Sequence, residues 1–398
     1  MLLNAFRRIF SNSQNRKARR SYTCPQLLQL ESRIVPANFQ VTSLADTATG
    51  GTLREAIDLA NTTAGNDTIG FAPSLFSSGA GTITLLTAQL PQILNASTIV
   101  GAGTRGTLTI TGPGATTLTI SGNNGVSGRN FHILSIDTGG DLSISGVTFS
   151  GAQTTGSGGA IENSGTLTVS DSIISGNSGN DGGGITNWGT LTVINTTISG
   201  NTSTIQAGGG IQNSSGSLTV INSTISGNTA ATQAGGIQNN GILVVTNSTI
   251  SGNTALTRTG GGIYNFTSGT LTLSGTTIAG NSANYGGGIR NIGTLNISNT
   301  IIANSITGSD YAGGGTIGTN SNNLVEDGTL PGTSEITGDP NLGPLQNNAG
   351  PTFTMALLSG SAAIGAGNAT ISNAAPILGK DQRGYPRSST APSIGAFE

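Results

Sequence analysis

The sequence predicts an all-β solenoid, a parallel β-helix with a cap at each end. A glycine-rich phrase ending in Ile-x-Asn recurs six times at intervals of 24 to 26 residues. Two further phrases, one like Thr-Leu-Thr-Val and one like Ile-Ser-Gly-Asn, recur in step with it. A fixed period of this length is typical of a solenoid, in which each repeat covers the open face of its neighbour. The six copies are GGAIEN (158–163), GGGITN (182–187), GGGIQN (208–213), GGIQN (235–239), GGGIYN (260–265) and GGGIRN (286–291).

Each period contains three short β-type runs separated by Gly, Asn and Ser. Runs this short, bounded by turn residues, predict strands and leave no room for a helix of ordinary length. Three strands in about 25 residues describe one coil of a parallel β-helix. The second phrase occupies 166–169, 190–193, 217–220, 242–245, 270–273 and 294–297, and the third occupies 174–177, 198–201, 225–228, 250–253, 278–281 and 301–304.

Alternation within the second phrase assigns its residues to an inner and an outer face. In Thr190–Val193, Leu191 and Val193 share one face and the two threonines share the other. We therefore expect two inner aliphatic rows along the solenoid. They are Leu167, Leu191, Leu218, Leu243, Leu271 and Leu295, and then Val169, Val193, Val220, Val245, Leu273 and Ile297.

The recurring asparagines are expected to stack in two turns of the coil. An amide can bond the amides of the coils above and below, and Asn tolerates the left-handed backbone of sharp corners. This structural interpretation is favoured over ligand binding. The first set is Asn163, Asn187, Asn213, Asn239, Asn265 and Asn291, and the second is Asn177, Asn201, Asn228, Asn253, Asn281 and Asn304.

Composition excludes several classes of protein. Of 398 residues, 64 are Gly and only 8% are charged, and the formal net charge is −2. Regular aliphatic rows with so little net charge argue against disorder, and the mildly acidic body offers no footprint for nucleic acid. A single cysteine, Cys24, excludes an internal disulfide. No apolar run approaches the ~18 residues of a transmembrane helix.

Residues 1–37 form a basic segment with no continuous apolar core, which is unlike a standard secretory signal. Leu30–Ala37 resembles the Leu-Glu-x-Arg-x-x-Pro-Ala leader of large exported proteins in planctomycete-type bacteria. The resemblance implies export to the cell surface or the extracellular space. A disordered basic tail is the alternative interpretation.

Residues 38–81 are expected to form an N-terminal cap, followed by irregular first coils at 82–157 and regular repeats at 158–310. Thr52 and Glu55 have capping-box spacing, and Leu53, Ile57 and Ala60 share one helical face. A short amphipathic helix should therefore cover the first strand edges. The stretch 39–61 resembles the domain named for its Cys-Ser-Leu-Arg-Glu-Ala motif, with Gly51-Thr52 in place of Cys-Ser.

Residues 311–398 differ in composition and are expected to form a last coil and an irregular cap. The segments 339–345, 350–352, 356–361, 381–384 and 394–398 resemble the choice-of-anchor Q domain, and the repeats resemble the GGAI repeats of polymorphic outer-membrane proteins. These resemblances imply a right-handed β-helix of a bacterial surface protein and leave its route of attachment open. Asp381, Arg383 and Arg387 are expected to form an ion pair within the cap.

The repeats contain few groups that could support catalysis. Between 158 and 304 the acids are Glu162, Asp171 and Asp181, and the bases are Arg258 and Arg290. The three acids could form a small patch, but solvated turn acids are the simpler interpretation. The sole histidine, His132, lies in an apolar run and is expected to be packed. We therefore expect no catalytic residue, metal site or cofactor.

The sequence favours a non-catalytic surface or matrix protein that binds a glycan or another protein, with its oligomeric state left open. The alternative is a polysaccharide lyase or hydrolase of the pectin-lyase-like class. A minor alternative is ice binding by an outward file of hydroxyls, which Ile242 and Val244 interrupt and Asn296 ends. The file comprises Thr166, Thr168, Thr190, Thr192, Ser217, Thr219, Thr270 and Thr272.

Overall fold

The chain winds in short strands, most of them paired in parallel with the strand one period away, and two C-terminal strands form an antiparallel pair. The computed structural model describes residues 36–95, 105–122, 130–332 and 335–398. The expected leader at 1–37 therefore lies outside the described residues, except for its last two. The first elements are β1 (Asn38–Val41), α1 (Leu53–Thr62), β2 (Gly65–Phe71), a 3₁₀ turn (Pro73–Phe76), β3 (Gly81–Thr84), β4 (Arg105–Thr111), β5 (Leu118–Ser121), β6 (Leu134–Ile136), β7 (Asp141–Ser145) and β8 (Thr148–Ser150).

Six regular coils follow. Coil 1 contains β9 (Ile161–Asn163), β10 (Thr166–Ser170), β11 (Ile173–Ser175) and β12 (Ser178–Gly179), and coil 2 contains β13 (Ile185–Asn187), β14 (Thr190–Ile194), β15 (Thr197–Ser199) and β16 (Thr202–Ser203). Coil 3 contains β17 (Ile211–Asn213), β18 (Ser217–Ile221), β19 (Thr224–Ser226) and β20 (Thr229–Ala230), and coil 4 contains β21 (Ile237–Asn239), β22 (Ile242–Thr246), β23 (Thr249–Ser251) and β24 (Thr254–Ala255). Coil 5 contains β25 (Ile263–Asn265), β26 (Thr270–Ser274) and β27 (Thr277–Ala279), and coil 6 contains β28 (Ile289–Asn291), β29 (Thr294–Ser298) and β30 (Ile301–Ala303).

The last elements are less regular. Coil 7 contains β31 (Tyr311–Gly313), β32 (Thr316–Ser321) and β33 (Asn323–Val325), and after it come β34 (Glu335–Ile336), β35 (Leu342–Gln346), β36 (Thr354–Leu357) and α2 (Ala369–Asn373). Neither helix in the described part of the chain has the length and apolar character needed to cross a membrane.

The strands form long parallel sheets that run along the solenoid. Sheets A and B contain eleven strands each and sheet C contains eight, and each regular coil contributes one strand to all three. The predicted parallel β-helix is thus confirmed. Its coils also contain an element that the three-strand prediction missed, because β12, β16, β20 and β24 form a fourth sheet, D, of two-residue strands.

The interior is built from the predicted aliphatic rows. Leu191 pairs in register with Leu167 and Leu218, and Val193 pairs with Val169 and Val220. Every member of both rows, and every isoleucine of the Ile-x-Asn phrase, has 0% exposure. Burial of four large aliphatic side chains, such as Ile185, Leu191, Val193 and Ile198 in coil 2, contributes about 6–12 kcal/mol per coil. This is less than the cost of ordering the residues of the coil, so a coil depends on its neighbours for stability.

Helix α1 covers the start of the stack, as predicted. The hydroxyl of Thr52 accepts a hydrogen bond from the Glu55 N–H. The Glu55 carboxylate accepts one from the Gly51 N–H at 2.7 Å, one residue before the expected position. Leu53 and Ile57 are buried in the core of the β-helix. The helix therefore closes the first strands with its apolar side.

Two asparagine ladders tie the coils together. In the first, Asn163 Nδ2 donates to Asn187 Oδ1 at 2.7 Å, and four further amide pairs continue to Asn291 at 2.8 Å. In the second, four amide pairs of 2.9–3.0 Å run from Asn177 to Asn281. Both ladders are buried, so each amide meets its hydrogen-bonding needs inside the protein.

Asn304 does not join the second ladder, and the prediction for it was wrong. β30 pairs with β27 so that Ile302 and Ala303 lie beside Ile278 and Ala279. Asn304 therefore takes the position of Gly280, and both have left-handed backbones, with φ of 55° and 65°. Because Ile302 rather than Ile301 pairs with Ile278, Ser305 takes the ladder position of Asn281, and the Asn304 side chain is exposed.

A third ladder of hydroxyls lies at the corner between sheets A and B. The Thr196 N–H donates to Ser223 Oγ, and the Ser223 N–H donates to Ser248 Oγ, both at 3.1 Å. The preceding residue of these corners has a left-handed backbone, as in Asn195 (φ 48°) and Asn222 (φ 50°). This corner explains the recurring Asn-Ser/Thr-Thr sequence, which superficially matches a glycosylation signal.

The C-terminal residues fold back over the outside of sheet B. Ile301 and Leu324 on that sheet form a second apolar cluster with Ala363 and Ile394. The Arg387 guanidinium, 6% exposed, donates to three backbone carbonyls of this segment and to Asn247 of coil 4. The expected ion pair forms between Asp381 and Arg383 at 2.7 Å, whereas Arg387 pairs with Glu398 at 3.4 Å.

Replacing Ala234 with glycine should stabilise the protein. Ala234 takes the first position of the glycine-rich phrase with φ 54°, where a Cβ costs about 1–2 kcal/mol. Because glycine loses about 0.5–1 kcal/mol more chain entropy, we expect Ala234→Gly to raise the free energy of unfolding by ~0.5–1 kcal/mol, measured by urea denaturation. Gly208→Ala is the control, because its Cβ would lie 2.6 Å from the Ile211 carbonyl oxygen and should destabilise. A loss of stability in Ala234→Gly would contradict this explanation.

Removing one amide from the centre of the first ladder should destabilise strongly. Asn213 Nδ2 donates to Gly216 O, Asn239 Oδ1 and Ile242 O, and its Oδ1 accepts from Asn187. Asn213→Ala should therefore lower the free energy of unfolding by about 2–5 kcal/mol, measured by thermal and urea denaturation. Asn304→Gly outside the ladder should change it by less than ~1 kcal/mol. Equal effects of the two substitutions would refute the ladder's role.

Candidate binding face on sheet C

The outward row of sheet C changes from coil to coil while its inward neighbours stay constant. Isoleucine and asparagine point inward at each end of the three-residue strands in all six regular coils. The residue between them points outward and differs in chemistry. From β6 to β31 this row is Ser135, Glu162, Thr186, Gln212, Gln238, Tyr264, Arg290 and Ala312.

This row lies in a shallow recess between two corners of the coil. One corner presents a row that begins at Ser157 and Asp181 and continues to Thr259 and Tyr285. The other corner presents Trp188 in coil 2 and Phe266 in coil 5, which are 37% and 36% exposed. Several outward residues on the floor of the recess are nevertheless buried, namely Thr186 (0% exposed), Gln238 (7%) and Tyr264 (6%). We call this recess the C face.

Four buried polar atoms on the C face have no hydrogen-bond partner within the described residues: His132 Nε2, Asp181 Oδ1, Gln238 Oε1 and Thr259 Oγ1. A buried polar atom without a partner costs about 1–3 kcal/mol, and most such atoms in folded proteins are bonded. Asp181 and Thr259 occupy the same corner row three coils apart, which is about 14 Å at the strand spacing. The Asp181 and Thr259 atoms therefore lie in one row along the axis of the solenoid, and Gln238 lies in the adjacent row of sheet C.

The acidic groups of the C face lie at coils 1 and 2. The carboxylate of Glu162 lies 3.7 Å from His132 Nδ1, and the Asp181 carbonyl accepts a hydrogen bond from Thr186 at 3.0 Å. Burial raises the pKa of both the Glu162 and Asp181 carboxyls. Burial also lowers the pKa of His132 to about 4, so this histidine is neutral at pH 7. The approach of His132 to Glu162 is therefore not an ion pair at that pH.

The other end of the C face is basic and aromatic. Tyr264 makes an edge-to-face contact with Phe266, with ring centroids 5.6 Å apart. Burial raises the pKa of the Tyr264 phenol, and the positive charges of Arg290 and Arg258 oppose that rise. The face thus changes from acidic to basic over about four coils. Side chains that can form hydrogen bonds lie along its floor, and aromatic side chains lie at its edges.

Asp171 does not join the other two acids of the repeats. It lies at the corner between sheets A and B, where its Oδ1 accepts from Asn195 Nδ2 at 3.1 Å, whereas Glu162 lies on sheet C. The small acidic patch considered from the sequence is therefore limited to Glu162 and Asp181. His132 is packed, as expected, with its side chain 14% exposed.

The outward hydroxyl file lies where alternation placed it, on the outer face of sheet A. Thr166 and Thr168 pair with Thr190 and Thr192 in the next coil. Ile242, 56% exposed, interrupts the file in coil 4. The file is thus a surface separate from the C face.

Sequence reasoning missed Gln238 and Thr259 as members of a shared face. They belong to different phrases of adjacent periods, and neither is ionisable. A signal did exist, because the residue between the recurring Ile and Asn is Glu, Thr, Gln, Gln, Tyr and Arg in the six copies of the phrase. Variation at one fixed outward position is typical of a surface that structure does not constrain.

The fold and this solvent-facing row define the class of protein, a β-solenoid repeat protein. The family model described as "Right handed beta helix region" matches residues 131–306. The chain is therefore a right-handed parallel β-helix over these coils, as the sequence predicts.

The comparison with curated proteins finds no match. Among solved structures, the chain is similar to the one titled "Crystal structure of pectate lyase Pel9A", with a TM-score of 0.42 and 14% sequence identity. The alignment covers 92% of this chain and 97% of that chain.

Neutral His132 should make the stability of the protein depend on pH. Its folded pKa of about 4 lies below the ordinary 6.5, so its contribution is present above pH 6.5 and is lost as the pH falls towards 4. The shift corresponds to about 3 kcal/mol. Wild type should lose that much more stability than His132→Gln between pH 7 and pH 4, measured by urea denaturation at each pH. Parallel pH profiles of the two proteins would show that His132 titrates normally.

Proposed function

We propose that this protein is a non-catalytic interaction module that binds an extended glycan along the C face. The outward row of sheet C carries the proposal, because its partly exposed members Glu162, Gln212 and Arg290 offer hydrogen-bonding groups beside the exposed rings of Trp188 and Phe266. A bound ligand with hydroxyl groups supplies both donors and acceptors. It would bond the Glu162 carboxylate, the Gln212 amide and the Arg290 guanidinium together.

A linear polymer suits this face better than a compact ligand. The coils repeat every ~4.8 Å, so hydrogen-bonding groups recur along a straight line rather than converging at one point. Compact ligands are usually enclosed in a pocket with a few convergent polar groups. The C face is instead a shallow recess that spans several coils.

The aromatic edges favour a sugar polymer over other linear polymers. Trp188 and Phe266 each leave more than a third of their surface exposed beside the polar floor. Aromatic side chains offer an apolar body next to polar groups, which matches the C–H face and the hydroxyl edge of a sugar ring. Nucleic acid is disfavoured because Glu162 and Asp181 oppose a phosphate backbone along half of the face.

A polysaccharide lyase or hydrolase is the second candidate, and one observation favours it. Glu162 and Asp181 are carboxyls with raised pKa values on the same face. A raised pKa is what a general acid requires near neutral pH. Cleavage by such an enzyme would be lost in Glu162→Gln or Asp181→Asn.

We also propose that the protein is exported and acts at the cell surface or in the surrounding matrix. The leader-like sequence at 30–37 and the resemblance of 311–398 to the choice-of-anchor Q domain support this location. Fractionation of the native cells with an antibody tests it, and recovery of the protein from the cytosol alone would reject it.

Gln212→Ala provides a sharp test of glycan binding, because this amide lies outward at the centre of the row and is partly exposed. A truncation at a partly exposed surface position should change the free energy of unfolding by less than about 0.5 kcal/mol. It should weaken glycan binding about three- to tenfold. Binding would be measured by affinity electrophoresis and calorimetry with neutral and acidic polysaccharides.

Thr192→Ala is the matched truncation control, since Thr192 lies on the outer face of sheet A. It should leave binding unchanged. Equal affinity of wild type and Gln212→Ala, or failure of all the polysaccharides to bind, would refute the proposal. If the wild type generated new chain ends in the polysaccharide and Glu162→Gln did not, the enzymatic alternative would replace the binding proposal.

A further inference from the structure

The C-terminal segment binds the same structural position in successive coils. That position is the corner between sheets A and B, where a residue with a left-handed backbone is followed by a buried polar residue, Ser or Thr in coils 1 to 6 and Asn323 in coil 7, at the start of a sheet B strand. The left-handed residues are Asp171, Asn195, Asn222, Asn247, Gly275, Asn299 and Asn322, with φ between 46° and 59°. We call this row of corners the corner track.

In coil 3 the contacts come from Thr352, Phe353 and Gln382. The Thr352 hydroxyl donates to the Asn222 carbonyl at 3.0 Å, and the Thr224 hydroxyl donates to the Phe353 carbonyl at 2.6 Å. The Gln382 amide donates to the Thr224 hydroxyl at 3.0 Å. Two stretches of the C-terminal segment, at 352–353 and at 382, thus bond both the corner residue and the first strand residue of this coil.

The same two positions are used in coil 4. Asn247 Nδ2 donates to the Lys380 carbonyl at 2.8 Å, and its Oδ1 accepts from Arg387 at 3.2 Å. The Thr249 hydroxyl donates to Gln382 Oε1 at 2.7 Å. In coils 5 to 7, contacts at the track are Ala396 N–H to Thr277 Oγ1, Asn368 N–H to Asn299 Oδ1, and Asn322 Nδ2 to the Ala366 carbonyl.

Coils 1 and 2 present the same track without a C-terminal segment across it. Asp171 and Asn195 hold the left-handed position, each with φ 48°. Ile173 and Thr197 begin the sheet B strands and are partly exposed, whereas Thr224 and Thr249 in the covered coils are 1% and 0% exposed.

A cavity of about 330 Å³ lies over these two coils. Its floor includes Asp171, Ile173 and Thr197, and its far wall is the end of the C-terminal segment at Pro351 and Phe353. The Phe353 ring is half exposed at this edge, at 50%. The covered part of the track therefore stops at a half-buried aromatic that faces two more corners of the same kind.

We infer that coils 1 and 2 bind an extended peptide segment of a partner protein, which continues the covered track. The argument is continuity, because the same backbone corner binds polypeptide in each of the next five coils. The fitting segment carries a hydroxyl that reaches the corner carbonyl, a backbone carbonyl that accepts from Thr197, and an apolar side chain that packs on Phe353. The Asp171 carboxylate favours a basic residue nearby.

This site is distinct from the C face. It lies at the corner between sheets A and B, whereas the C face lies on the outside of sheet C. One molecule therefore has room for a glycan on one side and a protein partner on another. Either proposal survives the failure of the other.

The test uses a capped synthetic peptide with the sequence of residues 350–354, Gly-Pro-Thr-Phe-Thr, which is the segment that binds coil 3. Added to the ¹⁵N-labelled full chain, it should shift the amide resonances of Asp171 to Thr197 saturably. A peptide with Ala for the first Thr and for Phe lacks the hydroxyl and the ring that contact the track. It should bind about tenfold more weakly.

Thr197→Arg fills the cavity from an outward position and should weaken binding of the peptide by about tenfold or more. Thr192→Arg, outward on sheet A in the same coil, should leave it unchanged, and far-UV circular dichroism of both variants confirms the fold. The absence of a saturable chemical-shift change at millimolar peptide would overturn the inference. Shifts centred on the C face, or saturation of the same amides by a neutral oligosaccharide in place of the peptide, overturn it as well.

Discussion

The in-register stacking of one coil on the next is the constraint on which the rest of this structure depends. A slip of one residue within a strand would turn its inward side chains outward. Here such a slip would also move the amide of Asn213 away from those of Asn187 and Asn239. Aliphatic burial makes stacking favourable, but it is nearly indifferent to which aliphatic residues meet. The buried amides supply the selectivity, because each requires its own kind above and below.

Because the inward side chains determine the register, the outward side chains of the coil are free to vary. Once Ile and Asn fix a sheet C strand from within, the residue between them makes no contribution to register. Glu162, Gln238 and Arg290 occupy equivalent positions with unrelated chemistry. The surface chemistry can therefore change from coil to coil along one side with little loss of stability. Repeat proteins acquire extended binding surfaces in this way.

Periodicity made most of the fold predictable, and its limits explain the errors. The rows through Leu191 and Asn213 follow from residue spacing alone, since every coil repeats the same contacts. Asn304 was misplaced because the repeated phrase was aligned on Ile301, whereas Ile302 is the residue that pairs with Ile278. Thr259 was missed because its distinguishing feature is a buried hydroxyl without a hydrogen-bond partner among the described residues. Only the folded structure shows this. Gln382 contacts residues of the β-helix that lie more than 130 positions away in sequence, and no repeated motif predicts these contacts.

The C-terminal segment also has a mechanical consequence. An array whose coils contact only their neighbours can lose them one at a time from a free end. Here a single buried guanidinium, that of Arg387, joins the Asn247 corner to three carbonyls of a segment that also grips coils 3, 5, 6 and 7. Because this segment bonds coils 3 to 7 together, we expect the downstream coils to unfold as a unit rather than one at a time. The response of the molecule to tension should therefore differ between its two halves.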